Sequence, residues 1–260
     1  MDVIIFSGQS NMQGQTDCLS ENQVVQNAFE YKWLTDELAP LKNPVGEDIT
    51  YDLTKGCNFD GRTISPPDWG NMHVTGSACY GHTNLIPAFC RKYLSSIDTQ
   101  VTAVHVAKGG TTISNWLPNQ KAYQVLVEKS CSAIKKVNPT NVYFVWLQGE
   151  SDAIESTSKN QYKQHLTTLC NALKKDVGIK KFGIIRVGRF TNDPRDLEII
   201  SAQDEICKEN KDFVMLTDIA TDLNQQSQYM NPSARGHFNA KGLELLGESA
   251  AQGLVNLILK

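Results

Sequence analysis

The stretch GQSNMQG, residues 8–14, follows an apolar run and sets Ser10 between two glycines. A loop of this kind serves one of two chemistries: it cradles phosphate on backbone amides, or it presents a nucleophile. A phosphate loop reads GxxxxGK(S/T), with a lysine to neutralise the charge. Here Gly8 and Gly14 enclose five residues rather than four, and Gln15 stands where that lysine belongs. Nucleotide binding is set aside, and Ser10 is the candidate nucleophile. A serine hydroxyl is a weak acid, so it needs a base in reach and donors for the oxyanion its attack creates. Three further stretches offer them. AKGGTTISNW holds Gly109 and Gly110, where backbone can approach a ligand closely; WLQGESDA holds Gln148, Glu150 and Asp152; RGHFNAKG holds His237. Of the five histidines, His105 lies inside an apolar run and reads as core. His165 falls mid-helix and reads as surface. His73 and His82 flank a long irregular segment and could line a cleft.

The elements that must position these residues follow from periodicity. Val3–Ser7, Val101–Ala107, Val142–Leu147, Phe182–Val187 and Phe213–Thr217 are short apolar runs rich in Val, Ile and Phe. Near-continuous apolar runs fit strands buried on both faces of a parallel sheet. Helical patterns lie between them, at Leu85–Leu94, Lys121–Val137, Gln161–Lys175, Arg195–Asn210 and Ala240–Leu259. The alternation predicts a three-layer α/β/α sandwich on a five-stranded, mostly parallel sheet, with right-handed crossovers. In such sheets ligands bind beyond the carboxyl ends of the strands. Ser10, Gly109–Gly110 and Gln148–Asp152 each follow a strand, so one edge gathers them. Trp33–Gly81 breaks the rhythm, being rich in Pro, Gly, Asn and Asp. So long an irregular insertion in a compact domain is usually functional or disordered, and with Trp69 inside it the segment is expected to line the cleft. No repeat or linker divides the chain, which reads as one domain over residues 1–260.

GQSNMQG, GGTTISNW, QGESD and HFNAKG, in this order and across nearly the whole chain, resemble the SGNH hydrolase superfamily. The likeness is to its branch of carbohydrate esterase family 6 and sialate O-acetylesterase-like proteins. It implies the flavodoxin-like SGNH fold and a serine esterase that removes O-acetyl groups from carbohydrate, acetylxylan or another acetylated sugar, through an acyl-enzyme. It implies no cofactor and no metal. Ser10 is then nucleophile and His237 base. The Ser10 amide, the Gly109 or Gly110 amide and the Gln148 side chain form the oxyanion hole. Trp116 is either a sugar-stacking wall or plain packing, and Trp69 is a further candidate sugar contact; Asn11 contacts substrate or, with Gln9, orients the loop. Many relatives carry an Asp three residues before the histidine, but here that residue is Ala234. Glu150 is the expected acid in its place, with Asp152 behind it and Asp218 and Asp222 more distant; the alternative for Glu150 is a structural hydrogen bond under the nucleophile loop, which would leave a Ser-His dyad or an inactive relative. Two alternatives stay open: a non-catalytic glycan-binding relative, which the missing Asp favours, and a lipase or thioesterase on the same fold, which the polar 33–81 segment disfavours.

Composition bounds the rest. A net charge of -3 gives no electrostatic reason for a nucleic-acid partner, and the Lys174, Lys175, Lys180, Lys181 cluster reads as a solvated face. No apolar stretch approaches the ~20 residues of a membrane span. Seven cysteines without CxxC spacing suggest neither a zinc knuckle nor a disulfide framework; they read as reduced core residues. With no leader-like N-terminus, the expected location is cytoplasmic. Oligomeric state is not indicated.

Overall fold

The computed structural model describes residues 1–16, 23–33, 35–46 and 83–260, together with two short paired strands, Cys57–Phe59 and Arg62–Ile64. Trp69, His73, His82 and most of the 33–81 segment lie outside the described residues.

In chain order the strands are β1 (Asp2–Gly8), β2 (Ala28–Lys32), β3 (Glu37–Pro40), β4 (Cys57–Phe59), β5 (Arg62–Ile64), β6 (Val101–Ala107), β7 (Asn141–Leu147), β8 (Lys181–Ile185) and β9 (Phe213–Thr217). The helices are α1 (Ser10–Gln13), α2 (Ile86–Leu94), α3 (Lys121–Val137), α4 (Glu150–Ile154), α5 (Lys159–Asp176), α6 (Pro194–Glu209), α7 (Ala220–Leu223) and α8 (Ala240–Ile258). All five expected strands are present as β1 and β6–β9, lying side by side in the order β6-β1-β7-β8-β9, and all their pairings are parallel. Their burial explains their apolarity: every residue of β1 and β6 is buried.

The sheet has seven strands rather than five. β2 joins β6 in parallel, and β3 closes that edge antiparallel to β2, so part of the supposedly irregular segment is strand. β2 reads AFEYK and escapes a hydrophobicity pattern because Glu30 is buried within it. The Lys32 ammonium at 2.7 Å and the Gly46 amide at 2.8 Å satisfy the carboxylate there. Only tertiary pairing makes a charged residue acceptable at such a position.

Ranked by sequence, the five central strands run 2-1-3-4-5, the doubly wound order with its switch point between β1 and β7. Right-handed crossovers then assign the faces. The single leftward step puts α2 on one face with α8, which packs against it; the rightward steps put α3, α5 and α6 on the other. Three of the longer helices, α5, α6 and α8, start at side-chain caps: Ser158 accepts from the Gln161 amide, Asp193 from Arg195 and Asn239 from Gly242. Each such cap is worth about 1 kcal/mol. α5 buries Tyr162, Leu166, Leu169, Cys170 and Leu173, a stripe at helical spacing.

Two lesser expectations are corrected. Cys90 and Cys170 are buried and Cys207 half-buried, but Cys131 is exposed. His165 is half-buried, not on the surface, because its ring lies at the edge of the α5 stripe. His105 is core as expected. It bonds the Met12 carbonyl at 3.1 Å, and burial, with help from the Lys129 charge, pushes its pKa down to about 3.

Candidate active site

The switch point brings the ends of β1 and β7 together. Gly8 pairs with Leu147 at the last step of both strands, and its φ of +148° is one that side chains rarely adopt. A Cβ there would stand 2.0 Å from the Leu147 carbonyl oxygen. Glycine is required, and the chain turns from β1 straight into α1, whose first residue is Ser10. The Ser10 N–H and Oγ have no hydrogen-bond partner among the described residues.

The neighbours of Ser10 join this turn to the other motifs. The Gln9 amide oxygen accepts from the Ser151 N–H at 3.1 Å and the Gly149 N–H at 3.4 Å, tying the nucleophile loop to the first turn of α4. Asn11 joins three segments. Its Nδ2 donates to Glu150 Oε1 at 2.8 Å and the Gly236 carbonyl at 3.3 Å, and its Oδ1 accepts from the Phe238 amide at 3.2 Å. The two residues flanking His237 are thus held by the residue that follows Ser10. Asn11 is 3% exposed with its amide fully engaged, so it positions loops and leaves nothing for substrate.

His237 sits on a turn closed by the Asn231 amide donating to its own carbonyl at 2.8 Å. Its Nδ1 lies 3.1 Å from the Arg235 carbonyl oxygen. A carbonyl can only accept, so Nδ1 carries the proton and Nε2 keeps its lone pair, the tautomer a general base needs. Nε2 is buried with no partner among the described residues. The Phe190 ring meets the imidazole edge-on, with centroids 6.1 Å apart, and limits its rotation. Burial lowers the His237 pKa, opposed by its main-chain bonds to Arg235 and Ala234.

The acid expected on Nδ1 is not there. Glu150 reaches the histidine loop only through Asn11; its other oxygen is buried without a partner among the described residues. Burial raises its carboxyl above the ordinary range, while Asn11 and the Gly149 and Glu150 amides oppose this. Asp152 is committed elsewhere, accepting from the Ile113 amide at 2.8 Å and Gln148 Nε2 at 2.6 Å. Asp218 and Asp222 are exposed, and neither bonds His237. A main-chain carbonyl takes the place of the missing Asp.

Two other expected contacts are corrected, and the place of Trp116 is defined. Gln148 is fully buried, and its NH₂ group is used on Asp152, the Thr111 carbonyl at 2.9 Å and Gln9 at 3.2 Å, leaving no hydrogen for an oxyanion. The Gly109 N–H is taken by Gln13 Oε1 at 2.8 Å, whereas the Gly110 N–H has no acceptor among the described residues. Trp116 is 1% exposed, edge-on to Trp146 at 5.7 Å, with its indole N–H on Thr111. It packs in the core, and the little surface it keeps lines a cavity beside Lys108 and Thr111.

Sequence reasoning missed Gln13, Phe190 and the buried pair Tyr162 and Gln203, which bond the Gln148 carbonyl at 2.7 and 2.8 Å. Only Gln13 left a signal, being a polar residue just before the glycine that closes the first motif. No group of three or more His, Cys, Asp or Glu able to hold a metal occurs among the described residues, and none of their helices is long and apolar enough to cross a membrane.

Known proteins share this fold. The chain is 23% identical to a probable carbohydrate esterase from Arabidopsis thaliana over 226 residues, 83% of this chain and 82% of that one. An Arabidopsis thaliana crystal structure superposes with a TM-score of 0.71 at 19% identity, covering 98% of both chains. The structure of NanS gives 0.68 at 16% identity over 99% of this chain and 96% of that one. A carbohydrate acetylesterase from Xanthomonas citri gives 0.58 at 15% identity, over 97% of this chain and 55% of that one. These likenesses show a shared α/β fold. Residues 1–256 match the family described as carbohydrate esterase, sialic acid-specific acetylesterase, and the chain belongs to that family of carboxylic ester hydrolases acting on acetylated carbohydrate.

Proposed function

We propose that the protein is a metal-independent serine esterase that hydrolyses O-acetyl groups on carbohydrate through an acetyl-enzyme. The observation that carries this reading is the joining, by Asn11, of an unbonded Ser10 hydroxyl to a His237 whose Nε2 is unprotonated and unpaired among the described residues. Ser10 Oγ attacks the acetyl carbonyl carbon as His237 Nε2 takes its proton. The tetrahedral oxyanion is held by the Ser10 N–H and by the 109–110 loop. His237 then returns the proton to the departing sugar oxygen. Water, deprotonated by the same nitrogen, attacks the acetyl-serine; the bond from the acyl carbon to Ser10 Oγ breaks, Oγ takes the proton back from His237, and the acetyl group leaves as acetic acid, which ionises to acetate.

A cavity of about 210 Å³ flanking the 109–110 loop, lined by Val106, Lys108, Thr111, Asn115, Trp116 and Gln120 among others, is the proposed seat of the sugar beyond the acetyl group; Ser10 and His237 are not part of its lining. Lys108 has no ionic partner among the described residues, and burial lowers its pKa. An uncompensated, half-buried ammonium favours a sugar bearing a carboxylate over neutral acetylxylan. The second reading, a glycan-binding relative without turnover, is kept by the absence of a carboxylate on His237 Nδ1. Acetate release decides between them. Wild type is expected to liberate acetate from 4-nitrophenyl acetate, and from an O-acetylated acidic sugar faster than from acetylated xylo-oligosaccharide. No acetate from any of the three removes the esterase reading; a preference for the xylo-oligosaccharide removes the acidic sugar.

Glu150 supplies a sharper check on mechanism. If it works by holding Asn11, Glu150→Gln keeps an acceptor for Asn11 Nδ2, and kcat falls less than about tenfold. Glu150→Ala loses that acceptor and leaves the Asn11 amide unmet in a buried site, which costs about 1–3 kcal/mol. A triad acid would behave otherwise, since the amide change alone would then cost about 10⁴-fold. Steady-state rates of the two variants, compared with wild type, separate the cases.

A further inference from the structure

The loop that would complete the oxyanion hole is pinned at almost every residue. The Lys108 N–H donates to the Gly8 carbonyl at 3.0 Å, and the Lys108 carbonyl accepts from Thr111 Oγ1 at 2.7 Å. The Thr111 carbonyl accepts from Gln148, and the Ile113 N–H goes to Asp152. Between these anchors lie two adjacent glycines, the residues that lose most conformational freedom when ordered. One side chain reaches them from the nucleophile helix: Gln13, 4% exposed, accepts from the Gly109 N–H at 2.8 Å and from Gln15 Nε2 at 3.0 Å. Gly110 stands at φ +72°, with open space where a Cβ would be and no acceptor for its N–H among the described residues.

The geometry points to Gln13 as the positioning residue of the oxyanion hole: by holding the Gly109 N–H it presents the Gly110 N–H as the second donor to the oxyanion. The inference rests on the serine-esterase reading above. Gln13 touches no reacting atom. It removes the reorganisation that an untethered Gly-Gly loop would need in each turnover, and a misplacement of about 1 Å at such a donor can cost about 100-fold in rate.

Two measurements test it, both on the whole chain. Gln13→Met keeps volume and removes the acceptor; Gln13→Glu keeps an acceptor. With 4-nitrophenyl acetate, Gln13→Met is expected to lower kcat about 10- to 100-fold while KM stays within about threefold. Its Gly109 amide loses protection from hydrogen exchange, and in Gln13→Glu that protection is retained. Unchanged kcat, or a loss carried by KM, overturns the proposal. The second measurement needs no variant. Wild type is treated with diethyl 4-nitrophenyl phosphate, which forms the diethylphosphoryl-Ser10 adduct and releases 4-nitrophenolate. Amide NMR of the adduct should show the Gly110 proton moved downfield and Gly109 in place; movement of Gly109 instead overturns the assignment. A wild type that neither turns over nor takes up the phosphoryl group removes the esterase reading itself, and this inference with it. Labelling with the wrong glycine shifted removes the inference alone.

Discussion

With Ser10 as the proposed nucleophile, Ser10→Ala is expected to lower kcat/KM for 4-nitrophenyl acetate by about 10⁴- to 10⁶-fold, the range seen when a nucleophile is deleted from a complete serine hydrolase site. That corresponds to about 5–8 kcal/mol of lost transition-state stabilisation. The loss is large because the remaining groups have nothing to act on. His237 Nε2 would have no hydroxyl to deprotonate, and the Ser10 N–H, which survives the substitution, would face no covalent oxyanion. The fold should hardly register the change. Ser10 Oγ makes no hydrogen bond among the described residues, and the turn depends on the main chain of Gly8 and the side chains of Gln9 and Asn11. A thermal melt within a few degrees of wild type, with acetate release at background, is the expected pair of results. Substantial residual turnover would place the nucleophile elsewhere.

On the same proposed mechanism, His237→Gln is expected to produce a loss of similar size, about 10³- to 10⁶-fold in kcat, because the base and the later acid would disappear together. The pH profile of the wild type reports on the same nitrogen. Catalysis needs neutral imidazole, and burial holds the His237 pKa below its ordinary value of 6.5. Activity is therefore retained as the pH falls past 6.5 and is lost only as it falls through the lowered pKa. The sign for stability is the same: a folded pKa below the unfolded one stabilises the fold above the unfolded value, and that contribution fades as pH drops. An acid limb of kcat/KM centred above 6.5 would contradict the burial of this ring, and would fit a histidine paired with a carboxylate. Phe190 and the Arg235 carbonyl set that environment, so neither Glu150 nor Asp152 is needed to explain the tautomer.

The alternation of apolar runs and helical stripes determined the α/β class, the five central strands and the long helices, because burial on both sheet faces forces those residue types. The motif glycines and polar residues at strand ends likewise determined which loops meet, since the doubly wound order leaves one edge for them. Tertiary structure decided which atoms are free. Gln148, Gly109 and Asn11 all carry the chemistry expected of a binding site, yet each is used up by partners the fold supplies: Asp152 and Thr111, Gln13, and Glu150 with the histidine loop. Residue type states what a group can donate or accept, but whether that capacity is left for substrate depends on every neighbour the fold brings to it. The orientation of His237 is the clearest case. With Ala234 in place of an acid, sequence pointed to Glu150, while a main-chain carbonyl, which any residue possesses and no side-chain pattern reveals, holds the imidazole.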